Sequence, residues 1–97
     1  MTKKDQLEQL QGIEQQLHQS LLQRQQLSAQ QLEIESALEE LKGAKNAFKI
    51  VGNIMVQSAP DVLVKDLEQK KELVALRLKS LDKQEEQLRK HAEDLKE

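Results

Sequence analysis

His18, His91 and the 17 carboxylates are the side chains of this 97-residue sequence that could run acid–base chemistry or hold a metal. A helical metal site needs ligands that return on one face, as in His-Glu-x-x-His, and neither histidine has that spacing. There is no Gly-rich phosphate loop, no nucleophile elbow and no cysteine. Lys70-Lys71 and Arg89-Lys90 are short basic pairs among acids, without aromatics on which bases could stack. All of these read as solvated helix faces. The expectation is a protein that is not an enzyme, uses no cofactor or metal and has no nucleic-acid partner.

What the residues do offer is apolar and local. The run Ala47-Phe48-Lys49-Ile50-Val51-Gly52-Asn53-Ile54-Met55-Val56 sets Gly-Asn between two apolar stretches, the pattern of a hairpin turn with Gly at its first central position. Before the turn, Phe48 and Ile50 point one way while Lys49 and Val51 point the other; after it, Ile54 and Val56 share a face opposite Met55 and Gln57. One face is therefore expected to be strongly apolar and the other mixed. A lone two-stranded hairpin is marginal in water, and its edges present unpaired backbone groups. Partner strands on other chains are expected, and closure into a small barrel would remove the edges altogether. The alternative is a hairpin folded back to cap its own helices.

Two long amphipathic segments must position this hairpin. Across residues 6–42 a 3-4 spacing runs through Leu10, Ile13, Leu17, Ser20, Arg24, Leu27, Gln31, Ile34, Leu38 and Leu41, seven of the ten apolar. Leu7, Leu21, Leu22 and Leu32 lie beside this seam and are expected to broaden it. Gly12 is its weak point, and Gly43 suits a left-handed C-terminal cap, with Lys42 and Lys45 at the negative helix end. In the second segment Leu67, Val74, Leu81, Leu88 and Leu95 recur every seven residues, with Val64, Lys71, Leu78, Glu85 and Ala92 as 3-4 partners. Ser58 is expected to cap it, with Pro60 and Asp61 in the first turn. Leu73 and Leu76 fall off the seam, as neighbouring core positions or as a contact with another subunit. A short connection favours antiparallel neighbours. The expected fold is mainly α: a long antiparallel coiled-coil hairpin (helices 5–43 and 60–96) joined by a β-hairpin (47–57), forming a single domain over 1–97.

Bulk composition agrees. Only 37% of residues are hydrophobic, 33% are charged and Phe48 is the sole aromatic, too little for an aromatic-anchored globular core. Disorder competes as a reading of so polar a chain, and the regular leucine spacing opposes it. The net charge of −2 is made of interspersed signs, which implies no strong pull toward nucleic acid or anionic lipid. No apolar run approaches the ~20 residues of a bilayer span, and the N-terminus lacks the apolar segment of a secretory signal. An amphipathic membrane-surface helix lacks its Lys/Arg-rich polar face and its Trp or Phe. A cytoplasmic protein without membrane partners is expected.

The hairpin residues Phe48 to Val56 resemble the strand segment of beta-class prefoldin subunits, an aromatic-Lys-x-x-Gly run followed by an apolar strand ending in Val. Lys65-Asp66-Leu67-Glu68 looks like the start of that family's second helix, and Leu76-Arg77-Leu78-Lys79-Ser80-Leu81-Asp82-Lys83-Gln84-Glu85 is similar to its "LR-apolar-K-x-L-x-x-QE" stretch. The first helix matches only as a Gln-rich coiled coil. The resemblance implies a subunit of a hexameric chaperone in which hairpins of two alpha-class and four beta-class subunits join in a double β-barrel. It implies coiled-coil arms that hold unfolded polypeptides without ATP and hand them to a group II chaperonin. Carried onto this chain, the oligomerisation residues are Phe48, Ile50, Val51, Gly52, Ile54, Met55 and Val56. The client-binding residues are Leu7, Leu10 and Ile13 against Leu88, Ala92 and Leu95. The chain starts and stops sooner than archaeal beta subunits, so a weaker client grip or altered client choice is expected. Pro60 stands where the family usually has a charged residue, a change that a first helical turn tolerates. The rival expectation is a passive coiled-coil scaffold or tether with a capping hairpin.

Overall fold

The computed structural model describes residues 2–96. Their order is α1 (Lys3–Leu41), β1 (Ala47–Val51), β2 (Ile54–Ser58) and α2 (Pro60–Lys96). The chain divides into two compact units: a terminal unit of Met1–Ser28 with Leu76–Glu97, and a central unit of Ala29–Ala75.

In the terminal unit α1 begins at a cap that the leucine spacing does not reveal. Thr2 Oγ1 accepts the Asp5 backbone N–H at 3.2 Å and the Thr2 carbonyl accepts the Gln6 N–H at 3.1 Å. Thr2 thus satisfies first-turn donors that the helix itself cannot, and Asp5 sits near the positive end of the helix. Ser20 and Arg24 of α1 meet Glu85 and Asp82 of α2, so residue numbers rise on one helix as they fall on the other: the segments are antiparallel. The buried apolar residues here are Ile13 and Leu81. Leu10, Leu17, Leu27, Leu78, Leu88, Ala92 and Leu95, the other apolar seam positions of this unit, are half-buried.

In the central unit Lys71 Nζ of α2 lies 3.9 Å from Glu35 Oε1 of α1. Ile34, Leu38, Leu41, Val64 and Leu67 are half-buried, and Val74 is buried. All twenty seam positions expected from the 3-4 spacing are thus at least half-buried. The flanking leucines are not. Leu7, Leu21, Leu22 and Leu32 remain 47–65% exposed, because two helices meeting alone cover only the narrow a/d stripe. The expected broadening therefore does not occur. Leu73 and Leu76 are exposed too, so they are not core positions within this chain.

α1 ends at Gly43, whose φ of 72° is left-handed, and the Ala44 N–H reaches the Leu41 carbonyl at 3.2 Å. Lys42 bridges to Glu39 at 2.9 Å on the exposed surface. The hairpin register is Val51↔Ile54, Ile50↔Met55, Lys49↔Val56, Phe48↔Gln57 and Ala47↔Ser58, leaving Gly52-Asn53 as a two-residue turn. Gly52 has φ 62°, while no non-glycine residue among those described has a positive φ, which is the II′ pattern expected of Gly at the first central position.

Two local expectations fail. Ser58 does not cap α2, because its backbone is still extended in the ladder opposite Ala47. Ala59 takes the cap position instead, its carbonyl accepting the Val62 and Leu63 N–H groups at 3.1 and 3.2 Å, with Pro60 first in the helix. Nor is one hairpin face strongly apolar. Directly opposed residues share a face, so Phe48, Ile50 and Met55 stand with Gln57, and Val51, Ile54 and Val56 stand with Lys49. Both faces are apolar with one long polar side chain each.

Two glycine replacements test this backbone. Gly12 lies in the interior of α1 with open space around a Cβ, so Gly12→Ala should stabilise by roughly 0.5–1 kcal/mol. Gly52→Ala should destabilise by roughly 1–2 kcal/mol because it forces a Cβ into the left-handed region. Urea unfolding followed by circular dichroism at one protein concentration reads both; equal shifts would contradict the turn geometry.

Candidate functional site: the exposed hairpin and the terminal seam

The seven expected assembly residues all lie in the central unit on β1, β2 and their turn. Phe48, Ile50, Val51, Ile54, Met55 and Val56 are 46–71% exposed, which is incompatible with a hairpin folded back on its own helices. In a two-residue hairpin the pair flanking the turn exchanges hydrogen bonds and the pairs then alternate. Val51 and Ile54, and then Lys49 and Val56, thus bond inward, while the peptide groups of Phe48 and Ile50 on β1, and of Met55 and Gln57 on β2, face outward. Each outer edge therefore offers a row of free donors and acceptors beside large apolar side chains, the condition under which strands add to strands. At the base of the hairpin Phe48 also borders an open groove of about 640 Å³ with Leu41, Leu63, Leu67 and Leu73.

The six expected client residues all lie in the terminal unit, in unequal settings. Leu7 is 57% exposed, Leu10, Leu88, Ala92 and Leu95 are half-buried, and Ile13 is buried. Ile13 can touch a guest only if the two helix ends part.

Between these residues and the rest of the seam lies a polar layer whose pairing sequence reasoning missed. Ser20 Oγ donates to Glu85 Oε1 at 3.2 Å. Arg24 donates from Nε to Glu85 Oε1 at 3.3 Å, from Nη2 to Glu85 Oε2 at 3.0 Å, and also to Asp82. Arg89 adds a looser contact, 3.8 Å from Glu85 Oε2. Ser20 and Glu85 are both buried, and no buried side-chain polar atom among the described residues lacks a partner. The Asp82 hydrogen bond, and then the Glu85 one, raise the Arg24 guanidinium above its ordinary value, so it stays charged. A signal was present in the sequence. Ser20 and Arg24 interrupt one seam and Glu85 the other, and an antiparallel alignment brings interruptions together.

No group of three or more His, Cys, Asp or Glu that could hold a metal occurs among the described residues. No helix among them is long and apolar enough to cross a membrane.

The geometry of two helical segments bearing an unsatisfied β-hairpin has close counterparts. The prefoldin subunit family model matches residues 4–97. Prefoldin subunit beta of Archaeoglobus fulgidus is 42% identical over 84 residues, covering 84% of this chain and 72% of that protein. Prefoldin subunit beta of Methanococcoides burtonii is 35% identical over 96 residues, covering 96% and 82%. The crystal structure of the prefoldin beta subunit from a Thermococcus strain matches with a TM-score of 0.87 at 29% identity, covering 96% of this chain and 84% of that one. Fold and sequence together define a member of a family of chaperone subunits. The chain belongs to the prefoldin subunit family, on the side of its beta subunits.

The polar layer makes an asymmetric prediction. Glu85→Ala strands Ser20 and leaves Arg24 with Asp82 alone, and should lower the unfolding free energy by about 1–3 kcal/mol. Replacing the layer as a whole, with Ser20→Ala, Arg24→Met and Glu85→Leu, should leave the midpoint unchanged or raised. Cross-linking of single cysteines at positions 17 and 88 should show a mixture of alignments only in the triple variant; a single alignment there would show that apolar packing alone sets the register.

Proposed function

We propose that this chain is a subunit of an ATP-independent holdase that captures unfolded polypeptides and delivers them to a group II chaperonin. Assembly runs through the hairpin, with Phe48, Ile50, Val51, Gly52, Ile54, Met55 and Val56 joining strands of alpha-class subunits or of further copies. The hexamer of two alpha-class and four beta-class subunits implied by the family is the frame in which its strands close. A cytoplasmic setting goes with this reading, as does a single domain over the whole chain.

The observation that carries the proposal is the hairpin, which exposes apolar side chains on both faces and free backbone groups on both edges. Strand addition satisfies both deficits at once. Guests are held by Leu7, Leu10 and Ile13 with Leu88, Ala92 and Leu95. Burying apolar surface contributes about 25 cal/mol per Å², so a few half-exposed leucines hold weakly and without sequence preference. Several arms acting together raise that grip through effective concentration. Release needs no nucleotide, because a partner that binds the guest better can take it over.

The test is native mass measurement with an aggregation assay on a chemically denatured protein, using this chain with an alpha-class subunit. Phe48→Asp and Ile54→Asp should each break the assembly. Removing residues 1–13 and 88–97 should abolish aggregation suppression while the assembly persists. A simple two-chain coil indifferent to both hairpin substitutions would favour a passive scaffold, and full activity in the truncated form would move the guest site elsewhere.

A further inference from the structure

The terminal unit carries a second groove, of about 460 Å³, walled by Gln16, Gln19 and Gln23 of α1 and by Gln84 and Gln87 of α2, with Ser20, Leu88 and His91 beside them. All five glutamines are exposed. The side-chain hydrogen bonds of the helix pairing run instead through Ser20, Arg24, Asp82 and Glu85, which leaves the five amides free.

A primary amide carries two donors and an acceptor oxygen, the complement of a peptide group. Gln16, Gln19 and Gln23 share one helix face, and at 1.5 Å per residue they rise by about 4.5 and 6 Å. An extended chain presents peptide groups on one side about every 6.5–7 Å, longer than either rise, so these flexible amides would meet a guest's peptide groups without a fixed register. The lining contains no Asp, Glu, Lys or Arg. In the central unit, by contrast, a comparable groove is walled by Glu35, Glu39, Lys42, Glu68 and Lys71. Solubility is served by either lining, but an amide is much cheaper to desolvate against a guest than a charge is.

We propose that this groove binds the main chain of an extended, unfolded polypeptide, with Gln16, Gln19, Gln23, Gln84 and Gln87 contacting its peptide groups and Leu88 supplying an apolar floor. The inference rests on the holdase reading and deepens it. The apolar seam grips a guest's apolar side chains, whereas the amides grip the backbone that every guest shares.

Fluorescence anisotropy of the assembled full chain tests this with two probes. One is a short labelled peptide of Leu, Ser and Gly; the other is the same peptide N-methylated at alternate backbone amides, which removes donors and keeps the side chains. The parent chain should bind the unmethylated peptide about tenfold more tightly, equivalent to about 1.4 kcal/mol. Alanine at all five groove positions, the best helix former, should erase that preference while both peptides still bind. Alanine at Gln9, Gln11, Gln15, Gln25 and Gln26, which lie outside the groove, should preserve it. If the groove variant fails to fold, Gln19→Ala with Gln87→Ala makes the same comparison with fewer substitutions and should weaken the preference. Equal binding of the two peptides by the parent overturns the groove and leaves the holdase reading standing; binding of neither overturns both. A preference that survives in the groove variant, or disappears in the control, also overturns the groove.

Discussion

Two helices that meet alone can bury only one stripe each, and every other property of this chain follows from that restriction. Among the described residues Ile13, Ala47, Val74 and Leu81 are the buried hydrophobic ones, and no large side chain is completely enclosed. A stripe of this width leaves Leu7, Leu21, Leu22 and Leu32 in water although they are leucines on seam-bearing helices. It also has no surface to spare for a β-hairpin. The strands form, because Gly52-Asn53 turns the chain and β-branched residues flank it, but their side chains and edges stay unsatisfied within one copy.

A seam of leucines repeating every seven residues also tolerates slippage, since a shift of one heptad puts leucine against leucine again. The polar layer removes that freedom. Sliding α2 by one heptad would set Leu78 or Ala92 opposite Ser20 and Arg24 and drive Glu85 against Ile13 or Leu27. A carboxylate without its three hydrogen bonds in a buried position is strongly disfavoured. The polar residues therefore contribute little to net stability and much to uniqueness, the use of buried polar groups best attested for coiled coils.

Most of this was legible from the residues, and what was not has physical causes. The 3-4 spacing identified every seam position because burial in a two-helix pair depends on little besides helical phase. Gly52-Asn53 announced the turn because few residues adopt a positive φ without strain. Ser58 misled because its preference for a cap competes with its place in the ladder opposite Ala47, and the ladder wins by satisfying more backbone groups. The apolar face of the hairpin misled because single-strand alternation is readable while cross-strand pairing depends on the closed register. The pairing of Ser20, Arg24 and Glu85 required both helices at once, so no window along one helix could show it.

In the proposed role, the restriction on the seam would also reconcile strand addition with capture of guests. A fully buried core would have nothing to offer an unfolded chain, and a fully exposed one would not stay in solution. Leu10, Leu88, Ala92 and Leu95 lie between these extremes, on the terminal side of the polar layer. In the proposed role, loosening there uncovers apolar surface without disturbing Ser20, Arg24, Asp82 and Glu85, whose bonds keep the alignment to which the helix ends return. Opening is then local and reversible, drawn from the low-stability end of the structure as binding segments generally are. The single-sided contact that prevents this chain from forming a compact core is thus the feature that would let it hold a partly folded protein.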